Sequence, residues 1–300
     1  MESSRKNSML LNMERYAQLK SVLSNVEIPY AVIKGEPLSI LCYNKKGVRN
    51  SQDIDILAER RYMSYFEQLL KTNGFITFVN QGKNVSREIR VLCISQSHQI
   101  PPYNKKTPNQ QISVDLNHDL FWGEYTGKRI AISDFLDHTI EMNIYGCVVK
   151  TLPPIKAMIQ LILHHYKDMN SIYRLAVNKC INYDMFKDVF FLWKNHKEEI
   201  SLEKLYVLSQ KYEIIPYVFY VLYFTNLIFK DRELQRYVDA FRTPEGELSL
   251  NYYGLTEKER KRWKVDFQTR LETNNMYELI RSDLAESDIE KIERNKKIFG

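Results

Sequence analysis

The chain has 300 residues, of which 44% are hydrophobic and 27% charged, and these proportions indicate a globular protein rather than a disordered one. The net charge of +6 is compatible with an anionic ligand such as a nucleotide or RNA but does not require one. The four cysteines lie far apart without a metal-binding spacing, which predicts reduced thiols in a cytoplasmic protein. Apolar runs fall short of the roughly 20 residues that span a bilayer, so no membrane partner is expected.

Helices and short strands alternate through the first half of the chain. Apolar residues at helical spacing predict helices, and short apolar or alternating runs predict strands. The predicted helices cover residues 8–25, 37–46 and 60–73, and the predicted strands cover 31–33, 53–57, 75–79, 90–94 and 112–116. The proline-containing stretch 101–110 is predicted to be a surface loop.

The pattern changes at Thr151-Leu-Pro-Pro154, after which helical spacing dominates. Helices are predicted over 155–166, 183–194, 202–211 and 216–229, followed by two charged surface helices over 256–272 and 287–298. The last two begin at capping-box patterns, Thr256 with Glu259 and Ser287 with Glu290. We therefore predict an α/β (α+β) domain with a small mixed sheet at 1–150 and an all-helical domain on the acceptor side at 151–300.

Two carboxylates lie on one face of the predicted strand 53–57. Successive strand side chains point to opposite faces, so Asp53 and Asp55 project together while Ile54 and Ile56 enter the core. Two carboxylates about 7 Å apart repel each other unless a cation lies between them. Mg²⁺ prefers one or two carboxylates together with phosphate oxygens, so the pair predicts a magnesium site.

A third acid, Asp115, lies in the alternating strand 112–116. Nucleotidyl transfer uses two metal ions about 4 Å apart, which three carboxylates can hold, and the third acid can also act as general base. Asp119, Asp134 and Asp137 are nearby alternatives, but they lie less clearly inside a strand pattern. The sequence therefore predicts Asp53, Asp55 and Asp115 as metal ligands and catalytic residues.

The turn after the first strand is the predicted triphosphate site. The backbone turn after Gly35 leads into the helix predicted to begin at Pro37. Free backbone N–H groups at this turn can bind phosphate. Lys34 and Arg49 are predicted to neutralise phosphate charge, although both could simply pair with the aspartates. Ser51 is included among the binding candidates, while a role in the turn is the simpler interpretation of it.

The motifs Ile33-Lys-Gly35, Gly47-Val-Arg49 and Asp53-Ile-Asp-Ile-Leu57 carry a resemblance. Together with the later hydrophobic–Asp–hydrophobic strand, their order resembles the DNA polymerase β-like nucleotidyltransferase superfamily. More narrowly, they resemble the bacterial family of uncharacterised nucleotidyltransferases over roughly residues 25–230. This resemblance implies a compact catalytic domain joined to a helical carboxy-terminal region, with Mg²⁺ as cofactor and a nucleoside triphosphate such as ATP as substrate.

Two positions depart from the family pattern. Glu36 stands where the wider superfamily usually has Ser after the glycine, which removes a hydroxyl and places an acid near the phosphate turn. Asn117 stands two residues after the third Asp, where members often have His, and His118 follows it.

The sequence thus predicts a transferase that moves a nucleoside monophosphate to a hydroxyl or phosphate of an acceptor. A small molecule, a peptide, a protein and a tRNA remain open as acceptors, with RNA not favoured. Two alternatives are a catalytically inactive nucleotide-binding module and a toxin-like tRNA nucleotidyltransferase. The basic run from Lys258 to Lys264 is more simply a solvated helix face than an RNA site.

Overall fold

The computed structural model describes residues 2–49, 51, 53–79, 83–121, 130–177 and 181–299. These residues form two compact units, a sheet unit made of the described residues up to 121 together with 130–157, and a helical unit from 158 onwards. No helix in the described ranges has the length and apolar character needed to cross a bilayer. The domain assignment 1–150 and 151–300 stays a prediction.

A mixed sheet is the centre of the sheet unit. Its strands are β1 (Tyr30–Ile33), β2 (Asp53–Ala58), β3 (Ile76–Val79), β4 (Lys83–Asn84), β5 (Tyr103–Lys106) and β6 (Gln111–Asn117). They lie in the order β1-β2-β6-β5-β3-β4. The pairing of β2 with β6 is parallel and the other pairings are antiparallel. The mixed α/β class predicted from the sequence is confirmed.

Helices and a hairpin complete this unit. The helices are α1 (Glu2–Leu23), α2 (Gly35–Tyr43), α3 (Met63–Thr72), α4 (Arg87–Gln96) and α5 (Ile132–Leu136), and the hairpin strands are β7 (Ile140–Ile144) and β8 (Cys147–Thr151). The apolar side chains of α1 and α3 pack against one face of the sheet, where Ile54, Ile56 and Val114 are buried. Strand alternation places the neighbouring aspartates on the opposite face.

The structure corrects two of the predictions in this unit. Residues 90–94 lie in helix α4 rather than in a strand, because Ser86 caps that helix by accepting a hydrogen bond from the Ile89 N–H. The predicted loop 101–110 contains strand β5, which pairs with both β3 and β6. Long-range pairing therefore outweighs the turn-forming composition of this stretch.

The helical unit is built from packed helices. They are α6 (Pro154–Asn170), whose first residues belong to the sheet unit, α7 (Ile172–Ala176), α8 (Tyr183–Asn195), α9 (Leu202–Lys211), α10 (Ile215–Phe229), α11 (Arg232–Phe241), α12 (Pro244–Ser249), α13 (Phe267–Glu272), α14 (Met276–Ile280) and α15 (Glu286–Phe299). Helix α10 is buried along most of its length, which explains its continuous apolar sequence. The predicted helices from 155 to 229 are confirmed.

The end of the chain differs from the prediction. The helical unit is not entirely helical, because β9 (Tyr252–Tyr253) and β10 (Lys261–Arg262) form a short antiparallel ladder. The predicted helix 256–272 is interrupted by this ladder, and only its last part forms α13. Helix α15 confirms the prediction over 287–298, but Ser287 does not cap it; instead, Asp288 accepts the Ala285 N–H.

Candidate active site

Three aspartates meet on one face of the sheet. Asp53 and Asp55 belong to β2, and Asp115 belongs to the adjacent parallel strand β6. The register pairs Asp55 directly with Asp115, and Asp53 with Ser113. Since neighbouring strands lie about 4.8 Å apart, Asp55 and Asp115 project side by side. The structure therefore brings together the three acids that the sequence singled out.

Lys34 provides positive charge inside this cluster. Its Nζ donates to Asp55 Oδ1 at 2.7 Å, and the Asp55 side chain is only 2% exposed. Burial lowers the pKa of Lys34, but Asp55, followed by Asp53 and Asp115, raises it overall. Lys34 is therefore held in its charged form. Its predicted contact with phosphate is untested, while the alternative, pairing with an aspartate, is what the free protein shows.

Asp115 has a strongly perturbed carboxyl group. Burial, followed by the charges of Asp55 and Asp53, raises its pKa from 3.8 to about 7. Lys34 and a hydrogen bond from Gln99 Nε2, at 3.2 Å from Asp115 Oδ2, oppose this rise. The cluster thus holds more negative charge than one ammonium group balances.

Asn117 also belongs to this cluster. Its side chain is almost completely buried and donates from Nδ2 to Asp55 Oδ1 at 3.2 Å. Asn117, at the position where family members often have His, is therefore buried and is a second hydrogen-bond donor to Asp55. The following residue, His118, is buried as well.

The turn between β1 and α2 lies beside the aspartates. Lys34 and Gly35 both have a positive φ, 62° and 46°, and α2 begins at Gly35. The Lys34 side chain does not cap the helix, and the Lys34 carbonyl accepts the Leu38 N–H. Because Pro37 has no N–H and the Leu38 N–H is bonded to Lys34, the candidate anion donors at this helix start are the N–H groups of Gly35 and Glu36.

Ser51 links this turn to the acids. A Cβ placed on Gly35 would lie 3.6 Å from Ser51 Oγ, so the two residues are neighbours. The Ser51 hydroxyl bonds to Asp53 Oδ1 at 3.0 Å and to the Asp53 carbonyl at 2.9 Å. The simpler interpretation of Ser51 as a turn residue thus agrees with these contacts, and direct nucleotide binding by Ser51 stays a prediction.

Arg49 lies on the loop between α2 and β2. Its backbone N–H donates to Ser39 Oγ at 3.4 Å, and its side chain is half-buried. Ser39 also accepts the Val48 N–H and donates to the Lys45 carbonyl, so one buried hydroxyl organises this loop. Phosphate binding by Arg49 stays a prediction.

Glu36 has a structural environment that the sequence did not reveal. The side chain is 3% exposed and accepts hydrogen bonds from Asn12 Nδ2 at 2.6 Å, the Gly47 N–H at 2.9 Å and the Tyr145 hydroxyl at 3.0 Å. Glu36 therefore fastens the start of α2 to α1, to the loop before β2 and to the β7–β8 hairpin. Because these three donors bind the Glu36 carboxylate, we do not expect it to repel phosphate at the turn.

Arg15 on α1 is a further residue that sequence reasoning missed. Its guanidinium donates to Asn12 Oδ1 at 2.8 Å, to Gln110 Oε1 at 2.9 Å and to the Ser51 carbonyl. The only available signal was spacing, since Asn12 and Arg15 are three residues apart and share one face of a helix.

The alternatives to Asp115 are engaged in other contacts. Asp119 accepts the N–H groups of Leu120 and Phe121, at 2.7 and 3.1 Å, and so shapes a backbone turn. Asp137 is 66% exposed and pairs with Lys156. In the helical unit, Lys261 of the basic run lies in strand β10 and pairs with Asp288 at 2.9 Å, so the predicted solvated helix face is wrong at this position.

The aspartates do not by themselves form a complete set of metal ligands. Among the residues that the structure describes, no group of three or more Asp, Glu, His or Cys side chains forms a ready set of metal ligands. Mg²⁺ is seldom held by a complete protein cage, because it usually takes one or two carboxylates and completes its shell with water and phosphate oxygens. The oxygen donors and the excess negative charge around Asp115 therefore fit a magnesium ion shared with a nucleotide.

Comparison with known proteins places the chain in a family. Curated protein sequences give no match. Among solved structures, an antigenic nucleotidyltransferase-like protein from Paracoccidioides brasiliensis is similar at 16% identity and a TM-score of 0.36, over 68% of this chain and 88% of that chain. A family model described as "uncharacterised nucleotidyltransferase" matches residues 3–230. The chain belongs to this family of uncharacterised nucleotidyltransferases.

Proposed function

We propose that the protein is a Mg²⁺-dependent transferase that moves a nucleoside monophosphate from a nucleoside triphosphate such as ATP to a hydroxyl or phosphate of an acceptor. The observation that carries this proposal is the register of β2 and β6. This register aligns Asp55 with Asp115 on the neighbouring strand. Asp53 lies two residues before Asp55 on β2, and Asp55 contacts Lys34 of the Lys34-Gly35 turn.

The three aspartates would hold the metal, with two ions as the expected number. Asp53, Asp55 and Asp115 would supply the carboxylate oxygens that hold them. When bound, magnesium neutralises phosphate charge and lowers the pKa of the attacking hydroxyl. The raised pKa of Asp115 supports this role, because a nearby cation would relieve the repulsion from Asp55 and Asp53.

The turn at Gly35 would hold the triphosphate. Its positive φ brings the backbone close to Ser51, and the N-terminus of α2 carries a partial positive charge that favours phosphate. The ammonium group of Lys34 and the guanidinium of Arg49 would balance the charge of the departing pyrophosphate. Lys34 would then exchange part of its contact with Asp55 for a phosphate oxygen.

Asp115 would also receive the proton of the acceptor. The hydroxyl oxygen attacks the α-phosphorus and forms a new P–O bond, while the bond to the β-phosphate breaks and pyrophosphate leaves with the electron pair. A nearby cation would lower the pKa of this carboxyl from the value of about 7 in the free chain, so Asp115 would be ionised near neutral pH and able to accept the hydroxyl proton.

The reaction can be tested by following pyrophosphate release from each α-labelled triphosphate with Mg²⁺ and one of three acceptor fractions: small metabolites, proteins and peptides, or tRNA. We expect transfer of label in one fraction, and loss of both label and pyrophosphate in the Asp53→Asn/Asp55→Asn variant. Asp184→Asn, which changes a carboxylate that is 82% exposed, is the matched control. Wild-type activity that survives the double substitution would overturn the assignment of the site.

A module that binds nucleotides without turnover is the alternative. The observation that favours it is the Lys34–Asp55 ion pair, which occupies one oxygen of a predicted metal ligand. Such a module would bind triphosphate in equilibrium dialysis and release no pyrophosphate in any fraction. Since Cys93 and Cys147 are buried free thiols, we also propose a reducing compartment such as the cytoplasm.

A further inference from the structure

Arg15 of helix α1 contacts the loop that leads into β2. The guanidinium is half-buried and uses two of its nitrogens in separate contacts. Nε donates to Gln110 on the loop between β5 and β6, and Nη1 donates to Asn12 and to the Ser51 carbonyl. The planar guanidinium is thus fixed between a helix, a sheet loop and the residue that precedes β2 by two positions.

Ser51 passes this constraint on to Asp53. Its carbonyl accepts a hydrogen bond from Arg15, and its one hydroxyl proton is shared between the Asp53 carbonyl at 2.9 Å and Asp53 Oδ1 at 3.0 Å. Each group of Ser51 is therefore used, one to receive the anchor and the other to orient the carboxylate. Burial lowers the pKa of Arg15 overall, and the nearby charge of Asp53 opposes that lowering.

A second chain of contacts from α1 supports the first. Asn12, which accepts from Arg15, donates in turn to Glu36 Oε1 at 2.6 Å, and Glu36 lies in the first turn of α2. Both sides of the proposed triphosphate turn are therefore tied to the same helix face. Arg15 lies where the two chains of contacts meet.

We infer that Arg15 is a positioning residue for the metal site, which orients the Asp53 carboxylate through Ser51. This inference rests on the proposed function. Among the residues that the structure describes, the hydrogen bonds of Arg15 lead to the metal site through the Ser51 carbonyl, since Ser51 in turn contacts Asp53. Residues that orient metal ligands typically change metal affinity by about 10- to 100-fold.

The test is binding of Mn²⁺ alone, measured from the electron paramagnetic resonance signal of the free ion. We expect Arg15→Gln and Arg15→Lys each to weaken Mn²⁺ binding by about tenfold. Arg15→Lys keeps the charge but cannot reach Asn12, Gln110 and Ser51 together, because it lacks the guanidinium fork. Ser51→Ala should weaken binding as well, since it removes the hydroxyl contact with Asp53.

The sign of the effect separates positioning from simple charge. If Arg15 acted only as a nearby positive charge, Arg15→Gln would tighten Mn²⁺ binding and Arg15→Lys would leave it unchanged, and either result would overturn the inference. Arg61→Gln is the control, because that arginine is 65% exposed and pairs with Glu59. Circular dichroism and thermal unfolding show which variants remain folded, and Ser51→Ala provides the answer if both Arg15 variants unfold.

Failure of the proposed function gives a different result. In that case wild-type protein and the Asp53→Asn/Asp55→Asn variant would bind Mn²⁺ equally poorly, and the role of Arg15 would fall with the metal site. If wild-type protein binds Mn²⁺, the double variant does not, and the Arg15 and Ser51 variants match wild type, only the positioning role is refuted.

Discussion

The carboxyl group of Asp115 makes stability depend on pH in a defined direction. Its pKa is about 7 in the folded chain and 3.8 in the reference state, so the folded chain binds the proton more tightly. The stabilising contribution of that proton is complete below pH 4 and is lost as the pH rises through 7. Replacing Asp115 with Asn removes this loss and should keep the hydrogen bond from Gln99, because the Asn side-chain oxygen can accept it.

The size of the effect follows from the two pKa values. A difference of about three pH units corresponds to about 4 kcal/mol at full ionisation, at about 1.4 kcal/mol for each unit. Between pH 5 and pH 8, wild-type protein should lose about 2.5 kcal/mol through this group, and somewhat less because solvent reaches part of the side chain. From pH 5 to pH 8, the Tm of Asp115→Asn should therefore rise relative to the Tm of wild type by about 5 °C or more.

Thermal unfolding of the intact chain at pH 5 and pH 8, without metal ions, measures this difference. Asp184→Asn, an exposed substitution, should follow the pH profile of wild type. Addition of Mg²⁺ at pH 8 should raise the Tm of wild type more than that of Asp115→Asn, since a bound cation stabilises only the folded state that holds it. Parallel pH profiles for wild type and Asp115→Asn would refute the electrostatic account of the cluster.

Three further substitutions test the surroundings of the cluster in urea unfolding at pH 8. Lys34→Ala should lower the free energy of unfolding by about 3 kcal/mol, because Asp55 is left buried without its ammonium partner; an effect below 1 kcal/mol would contradict this. Glu36→Ser should cost about 2–4 kcal/mol, because the shorter side chain leaves Tyr145 and other buried donors without an acceptor, and unchanged stability would exclude the structural role. Gly35→Ala should cost about 1 kcal/mol through its positive φ and not through a clash, so a loss well above that would contradict a purely conformational effect.

The β1–α2–β2 segment could be predicted because its signals are local. The glycine after an apolar run, Pro37 near the helix start and the alternation of acids with isoleucines each constrain a few residues at a time. The side-by-side placement of Asp55 and Asp115 depends on the pairing of β2 with β6 across 60 residues, for which alternation in both strands gave only indirect evidence.

The rest of the site lies beyond local pattern. Glu36 looked like an unfavourable acid in a phosphate turn, because its partner Tyr145 is 109 residues away and lies on a hairpin that the sequence did not indicate. Arg15 donates to the backbone carbonyl of Ser51. Every residue has such a carbonyl, so the sequence could not indicate this contact. Residues 90–94 were mistaken for a strand because their β-branched residues outweighed the cap at Ser86.

The hydrogen bond between Glu36 and Tyr145 has a consequence for the order in which the chain can fold. During synthesis the first β–α–β segment emerges long before the hairpin that supplies the Tyr145 hydroxyl, and closing so long a loop is entropically slow. A nascent chain that ends before residue 145 lacks the Tyr145 hydroxyl, one of the three donors to the Glu36 carboxylate, which is buried in the folded chain. The proposed nucleotide site is therefore expected to form only after the sheet unit is fully translated, so shortened N-terminal fragments should not reproduce it.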